Sequence, residues 1–166
     1  MYKVAYVSTV DGLKEARAIM KQIYDENPRN WPYGLTPDHF DGGVYLIREK
    51  QSNAPIGFCG WQERLEVQPV KRASNLAFLR DLGFNSVKVG YYSIGVLAKH
   101  RRNGFAKEAL SKLIAMKAAG VDKVKAMIVS SNKPSMALAD SLGVEKQIKR
   151  SSLDFYLRTR MLFLPQ

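Results

Sequence analysis

A single cysteine, Cys59, occurs in 166 residues, so no intrachain disulfide can form and a reducing, cytoplasmic setting is expected. Histidine is almost as scarce. His39 and His100 are the only two, and with one thiol they argue against a thiol–imidazole metal centre, so no metal is expected. No apolar run approaches the roughly 18 residues that cross a bilayer, and the start of the chain lacks the apolar stretch of a signal peptide. No membrane partner is expected. Repeats, low-complexity tracts and linkers are missing too, which leaves one domain over residues 1–166 as the simplest organisation.

What is present has the composition of a soluble globular protein, 46% hydrophobic and 25% charged. The balance of charge is unusual. The net charge is +11, and much of the excess lies between Lys99 and Lys125. A polyanionic small molecule would account for part of it, and a nucleic acid or other acidic partner for the rest. A solvated basic face is the plain alternative.

Periodicity gives the order of elements. Residues 2–8 read as a strand, and Asp11 as the N-cap of a helix with Leu13, Ala16, Met20 and Ile23 on one face, stopped by Asn27 and Pro28. Residues 44–50 and 56–64 form a hairpin. Residues 76–82 suggest a short helix, and 87–97 form a strong strand. A helix over 103–119 buries Ala106, Leu110, Leu113 and Ile114, with Gly120 at its left-handed stop. A strand over 124–130, a helix over 134–142 closed by Gly143, and strands over 144–149 and 153–163 complete a mixed α/β (α+β) domain.

Between the strong strand and its helix lies a basic turn, Lys99-His100-Arg101-Arg102-Asn103-Gly104-Phe105-Ala106. The first N–H groups of a helix have no partner within it, and the helix dipole favours an anion there. Gly104 offers no side chain to block the approach, Ala106 is small, and Arg101 and Arg102 add charge. The arrangement suits a pyrophosphate.

Arg101 to Ala106 resembles the Q/R-x-x-G-x-G/A motif of the GCN5-related N-acetyltransferase (GNAT) superfamily, in the strand–turn–helix setting the family uses. Asn132, Ser135, Leu138, Leu142 and Gly143 resemble its second block. The resemblance is sharp over 87–144. It implies a mixed, mostly antiparallel central sheet flanked by helices, with a splayed strand pair that takes acetyl-CoA. It also implies that main-chain groups of Ile94 and Val96 hold the pantetheine arm, one of them facing the thioester carbonyl. Residues Arg101, Arg102, Asn103, Gly104, Phe105 and Ala106 would hold the pyrophosphate, Asn132 would contact the arm, and Ser135 would lie near it.

Two family features are missing. Ala139 stands where many members have a tyrosine that protonates the leaving thiolate, and the strand over 87–97 has no carboxylate. Attack by a neutral amine on a polarised thioester needs positioning more than a strong acid. Glu63 is the best carboxylate for the amine proton, with Glu66 beside it, and Tyr92, Ser93 and Tyr156 can offer hydroxyls. Each also has a plainer reading as a solvated or packing residue. Cys59 reads as a small core residue.

The resemblance implies an acyltransferase that moves an acetyl group to an amine carried by a protein, a small molecule or a nucleic acid, as a monomer or homodimer. Residues 65–88 would be an insertion shaping the acceptor site. The alternative is a non-catalytic module of the same fold that binds nucleic acid or a protein.

Overall fold

The computed structural model describes residues 2–31, 35–67 and 86–149. Strands β1 (Tyr2–Tyr6), β2 (Val44–Glu49), β3 (Pro55–Val67), β4 (Ser86–Val96), β5 (Lys123–Val129) and β6 (Glu145–Lys149) form one sheet in chain order. The first four run antiparallel. β4–β5 and β5–β6 are parallel, each joined through a helix, as parallel neighbours require. The helices are α1 (Val10–Glu26), α2 (Phe105–Lys117) and α3 (Lys133–Ser141). This is the mixed, mostly antiparallel sheet flanked by helices that the sequence implies.

Both faces of the sheet are covered, and the strands show it. In β2, Val44, Tyr45, Leu46 and Ile47 are all buried, because alternate residues enter different cores. Val44 and Leu46 join Phe58 and Leu97 under Ala16, Ile19, Met20 and Ile23 of α1. Tyr45 and Ile47 join Cys59, Trp61 and Tyr92 under Ala109, Leu110 and Leu113 of α2 and Ala139 of α3. Each buried Val, Leu, Ile, Phe or Met side chain among them contributes about 1.5–3 kcal/mol.

Local chemistry shifts several boundaries. α1 is capped by Thr9, whose hydroxyl accepts from Gly12 N–H at 3.0 Å; Asp11 lies inside the first turn and pairs with Lys14. Its buried face holds Ile19 where the periodicity favours Leu13, which keeps 37% of its surface exposed. α2 ends in a 3-10 turn, Ala118–Gly120, and Gly120 does not take a positive φ. Gly143 does, at 63°, with Gly143 N–H donating to Asp140 O and Val144 N–H to Ala139 O, a Schellman stop for α3. The helix expected over 76–82, the strand over 153–163, and Tyr156 lie outside the described residues.

Trp61 is the largest fully buried side chain. It fits because two glycines flank it: a Cβ at Gly42 would stand 2.3 Å from its ring, and one at Gly90 only 2.1 Å. Among the described residues, no helix is long and apolar enough to cross a membrane, and no cluster of His, Cys, Asp and Glu could hold a metal.

Candidate functional site

β4 and β5 part company halfway. They pair at Val89↔Lys123, Gly90↔Val124 and Tyr91↔Lys125, and no further, although β4 runs on to Val96 and β5 to Val129. On its other side β4 is paired with β3 along its whole length, from Gly57↔Val96 to Val67↔Ser86. Leu97 N–H donates to Ile56 O, so the groups of the Val96/Gly57 pair point away from each other. By the same alternation, the main-chain groups of Ile94 and Val96 face the gap. An open edge of this kind can accept an extended chain of amide groups.

The gap widens into a cleft of about 770 Å³ between β4, the start of α2, the start of α3 and the loop after α1. Arg102 and Gly104 both take left-handed backbone, at φ 65° and 77°, which bends the chain sharply into α2. Gly104 is the N-cap and has no side-chain cap bond, so no acceptor among the described residues takes the N–H groups of Phe105, Ala106 and Lys107. A Cβ at Gly104 would meet nothing within 4 Å. The entrance to the helix is open.

Cations gather on the walls. Arg29, Arg101, Arg102 and Lys107 line the cleft beside the imidazole of His100, and none of its lining residues is a carboxylate. The side chains of Arg29, Arg102 and Lys107 have no ion-pair partner among the described residues. Arg101 is different. Its Nε donates to Val96 O at 2.8 Å and its terminal nitrogen pairs with Glu26 at 2.5 Å, so it braces the turn as well as lining the cleft. Glu26 also accepts from Ala98 N–H at 3.0 Å, which ties the end of α1 to the same turn.

The other expected residues divide. Ile94, Val96, Phe105, Ala106, Asn132 and Ser135 also line the cleft. Phe105 packs against Tyr2 at 5.1 Å, and the exposed Asn103 donates to His100 O at 3.4 Å. Asn132 caps α3, its Oδ1 accepting from Ser135 N–H at 3.2 Å, which leaves its amide hydrogens available. Tyr92 and Ser93 line a pocket of about 60 Å³ within the gap itself. Glu63 is not with them. It lies beside Trp61, whose Nε1 donates to it at 3.2 Å, and pairs with Lys88 at 2.6 Å. Those two bonds hold its carboxyl below the usual range. Burial pushes the Cys59 thiol up, as befits a core residue.

Glu66 lies near the last β4–β5 pair, as exposed as Glu63 but with a more buried lysine partner. Tyr91 donates to it, and Lys125 pairs with it at 2.7 Å and with Glu145 at 3.4 Å. Burial raises the Glu66 carboxyl, but the bonds from Lys125 and Tyr91 outweigh it and leave it lowered; Lys125 is raised, first by Glu66. A lowered carboxyl contributes stability that is complete above its unfolded value of about 4.3 and fades as pH falls through the folded one. Lys125→Met should therefore cost more stability at pH 7 than in acid strong enough to protonate Glu66 in the folded protein, where the pair has lost its charge attraction. Urea unfolding at the two pH values checks this, and an equal cost at both would contradict it.

Sequence reasoning missed Arg29 and Glu26. Arg29 follows the helix stop at Pro28, and no motif distinguishes it from an ordinary loop residue. Glu26 reaches Arg101 across 75 positions, which no local pattern reveals.

No curated protein sequence matches this chain. Among solved structures, yncA from Salmonella typhimurium with its cofactor acetyl-CoA is 17% identical, covering 86% of this chain and 79% of that one, at a TM-score of 0.55. NAA60 of Arabidopsis thaliana, in complex with a bisubstrate analogue, is 16% identical over 86% and 83%, at 0.56. An N-acetyltransferase from Staphylococcus aureus Mu50 is 18% identical over 86% and 82%, at 0.51. At such identities the likeness is one of fold. The sequence itself matches the Acetyltransferase (GNAT) family over residues 14–144, from α1 to the end of α3 and through both candidate motifs. The chain belongs to the GNAT acetyltransferase family.

Proposed function

We infer that this protein, in a cytoplasmic setting, transfers an acetyl group from acetyl-CoA to a primary amine by direct attack in a ternary complex. One observation carries the reading: the unpaired edge of β4 opens into a cleft lined by cations and no carboxylates, at a helix start with free N–H groups. The N–H groups of Phe105, Ala106 and Lys107 would take the diphosphate, with Arg102, Lys107 and Arg29 around it. The main-chain groups of Ile94 and Val96 would hold the amide-bearing arm, Asn132 would bond to it, and Ser135 would lie beside it. Acetyl-CoA, when bound, supplies an activated acyl group whose carbonyl oxygen gains charge as the amine attacks. An N–H on the open edge of β4 stabilises that charge.

Glu63 and Glu66 are each ion-paired to a lysine and held below the usual carboxylate range, which makes both weak bases. The amine must therefore lose its proton before or during attack without a strong base from either. The acceptor class that the net charge favours is an amine borne on a nucleic acid, ahead of a protein amine or a small cationic amine. The same two paired glutamates favour the second reading, a module that keeps the fold without catalysis. Release of free thiol from acetyl-CoA across a panel of aminoacyl-RNA, peptide and small amines separates the two. Turnover with any acceptor supports the transferase. Tight acetyl-CoA binding with no turnover on the whole panel supports the module, and retention on nucleic acid that falls steeply with salt would name its partner.

A further inference from the structure

Tyr92 carries a hydroxyl that the fold does not use. Its side chain is about nine-tenths buried, and its oxygen is enclosed without a hydrogen-bond partner among the described residues. Enclosing a hydroxyl in this way costs roughly 1–3 kcal/mol, so it calls for an explanation. The residue sits on β4 one position past the last β4–β5 pair, where the strands begin to separate. It lines the pocket of about 60 Å³ that fills this part of the gap, together with Ile94, Ala126, Asn132, Ser135 and Leu138. Ile94, Asn132, Ser135 and Leu138 also line the large cleft, so the pocket continues it inward. On α3, Ala139 is fully buried in the same apolar cluster as Tyr92 and brings no polar group, while Ser135 sets a second hydroxyl-bearing residue on the pocket near the start of the helix.

We propose that Tyr92 donates a hydrogen bond to the coenzyme sulfur at the inner end of the cleft and stabilises it as the thiolate leaves. This rests on the acetyl-CoA reading above. The phenol keeps its proton throughout. Burial pushes its pKa up to about 12, above that of an alkyl thiol, so full transfer from oxygen to sulfur is uphill. As the amine nitrogen bonds to the carbonyl carbon and the carbon–sulfur bond breaks, its electron pair stays on sulfur, and the proton shed by the amine leaves with solvent. Donation to a charged acceptor is about twice as strong as donation to a neutral one, so the hydroxyl favours the departing state over the thioester.

The test uses binding, with CoA and desulfo-CoA titrated against the wild-type protein and Tyr92→Phe at about pH 10, where a large share of the free thiol is ionised and the phenol is still protonated. Phenylalanine keeps the ring and the packing. Wild type should bind CoA about tenfold or more tighter than desulfo-CoA, and Tyr92→Phe should lose most of that preference while holding desulfo-CoA unchanged. A preference equal in both proteins, or missing from wild type, overturns the assignment to Tyr92 and leaves the acetyl-CoA reading standing. Failure of wild type to bind either nucleotide overturns both. Thermal unfolding of the variant near the wild-type midpoint is expected, and a collapse of the fold would show the hydroxyl to be structural and so refute the assignment.

Discussion

Gly104→Glu is expected to lower acetyl-CoA affinity at least about a hundredfold, equivalent to roughly 2.8 kcal/mol, while the protein stays folded. The N-cap of α2 sits where the helix N–H groups and the cations of the cleft converge, and a carboxylate placed there would repel a diphosphate as well as occupy its space. The fold should tolerate the change. Nothing lies within 4 Å of a Cβ at this position, so the cost is confined to the left-handed backbone, φ 77°, at about 1–2 kcal/mol. Gly104→Ala pays the same strain with neither charge nor length, so its affinity should fall far less. Calorimetric titration of both variants, with circular dichroism as the check on folding, measures this. Equal affinity in Gly104→Glu and the parent would remove the helix entrance from the binding site.

Trp61→Ala is expected to have the largest effect on stability. The indole is fully buried, wedged between Gly42 and Gly90, and held by its bond to Glu63. Its removal leaves a cavity that two glycine neighbours cannot fill, and a cost of about 3–5 kcal/mol follows. For a domain of this size that lowers Tm by roughly 6–20 °C. Gly90→Ala should be destabilising for the complementary reason, since its Cβ would overlap the ring. Trp61 does not line the cleft, so acetyl-CoA affinity measured well below Tm should change little. Differential scanning calorimetry reads the first effect and titration the second; a Tm shift of only a degree or two would mean that the wedge carries little of the core's energy.

The parts of this protein that were legible in the sequence are those governed by neighbours along the chain. The glycine that opens α2 could be read because a basic turn between an apolar strand and an amphipathic helix has few other uses. The stop at Gly143 was legible for the same reason, being a local hydrogen-bonding solution at a helix end. Thr9 was overlooked in favour of Asp11 because both are good caps two positions apart, and only the backbone decides between them. Gly120 was misread because a 3-10 turn satisfied the end of α2 without left-handed backbone.

The site beyond those local signals depends on contacts distant in sequence. The separation of β4 from β5 is a property of two strands nearly thirty residues apart, and the sequence suggested it only through family resemblance. Glu63 and Glu66 lie three residues apart on a strand and therefore point to opposite faces, so the choice between them rested on which face meets which helix. Their lysine partners come from different strands, Lys88 on β4 and Lys125 on β5. Arg29 and Trp31 reach the cleft only because α1 packs across β3 and β4. A pattern of residue types cannot carry such information.

The most direct test is a crystal structure grown with acetyl-CoA. The account predicts the diphosphate on the N–H groups of Phe105 to Lys107 and the pantetheine arm bonded along Ile94 and Val96, with the thioester between β4 and β5. Density for the nucleotide at any other surface, or a gap still closed to the ligand under saturating acetyl-CoA, would contradict it.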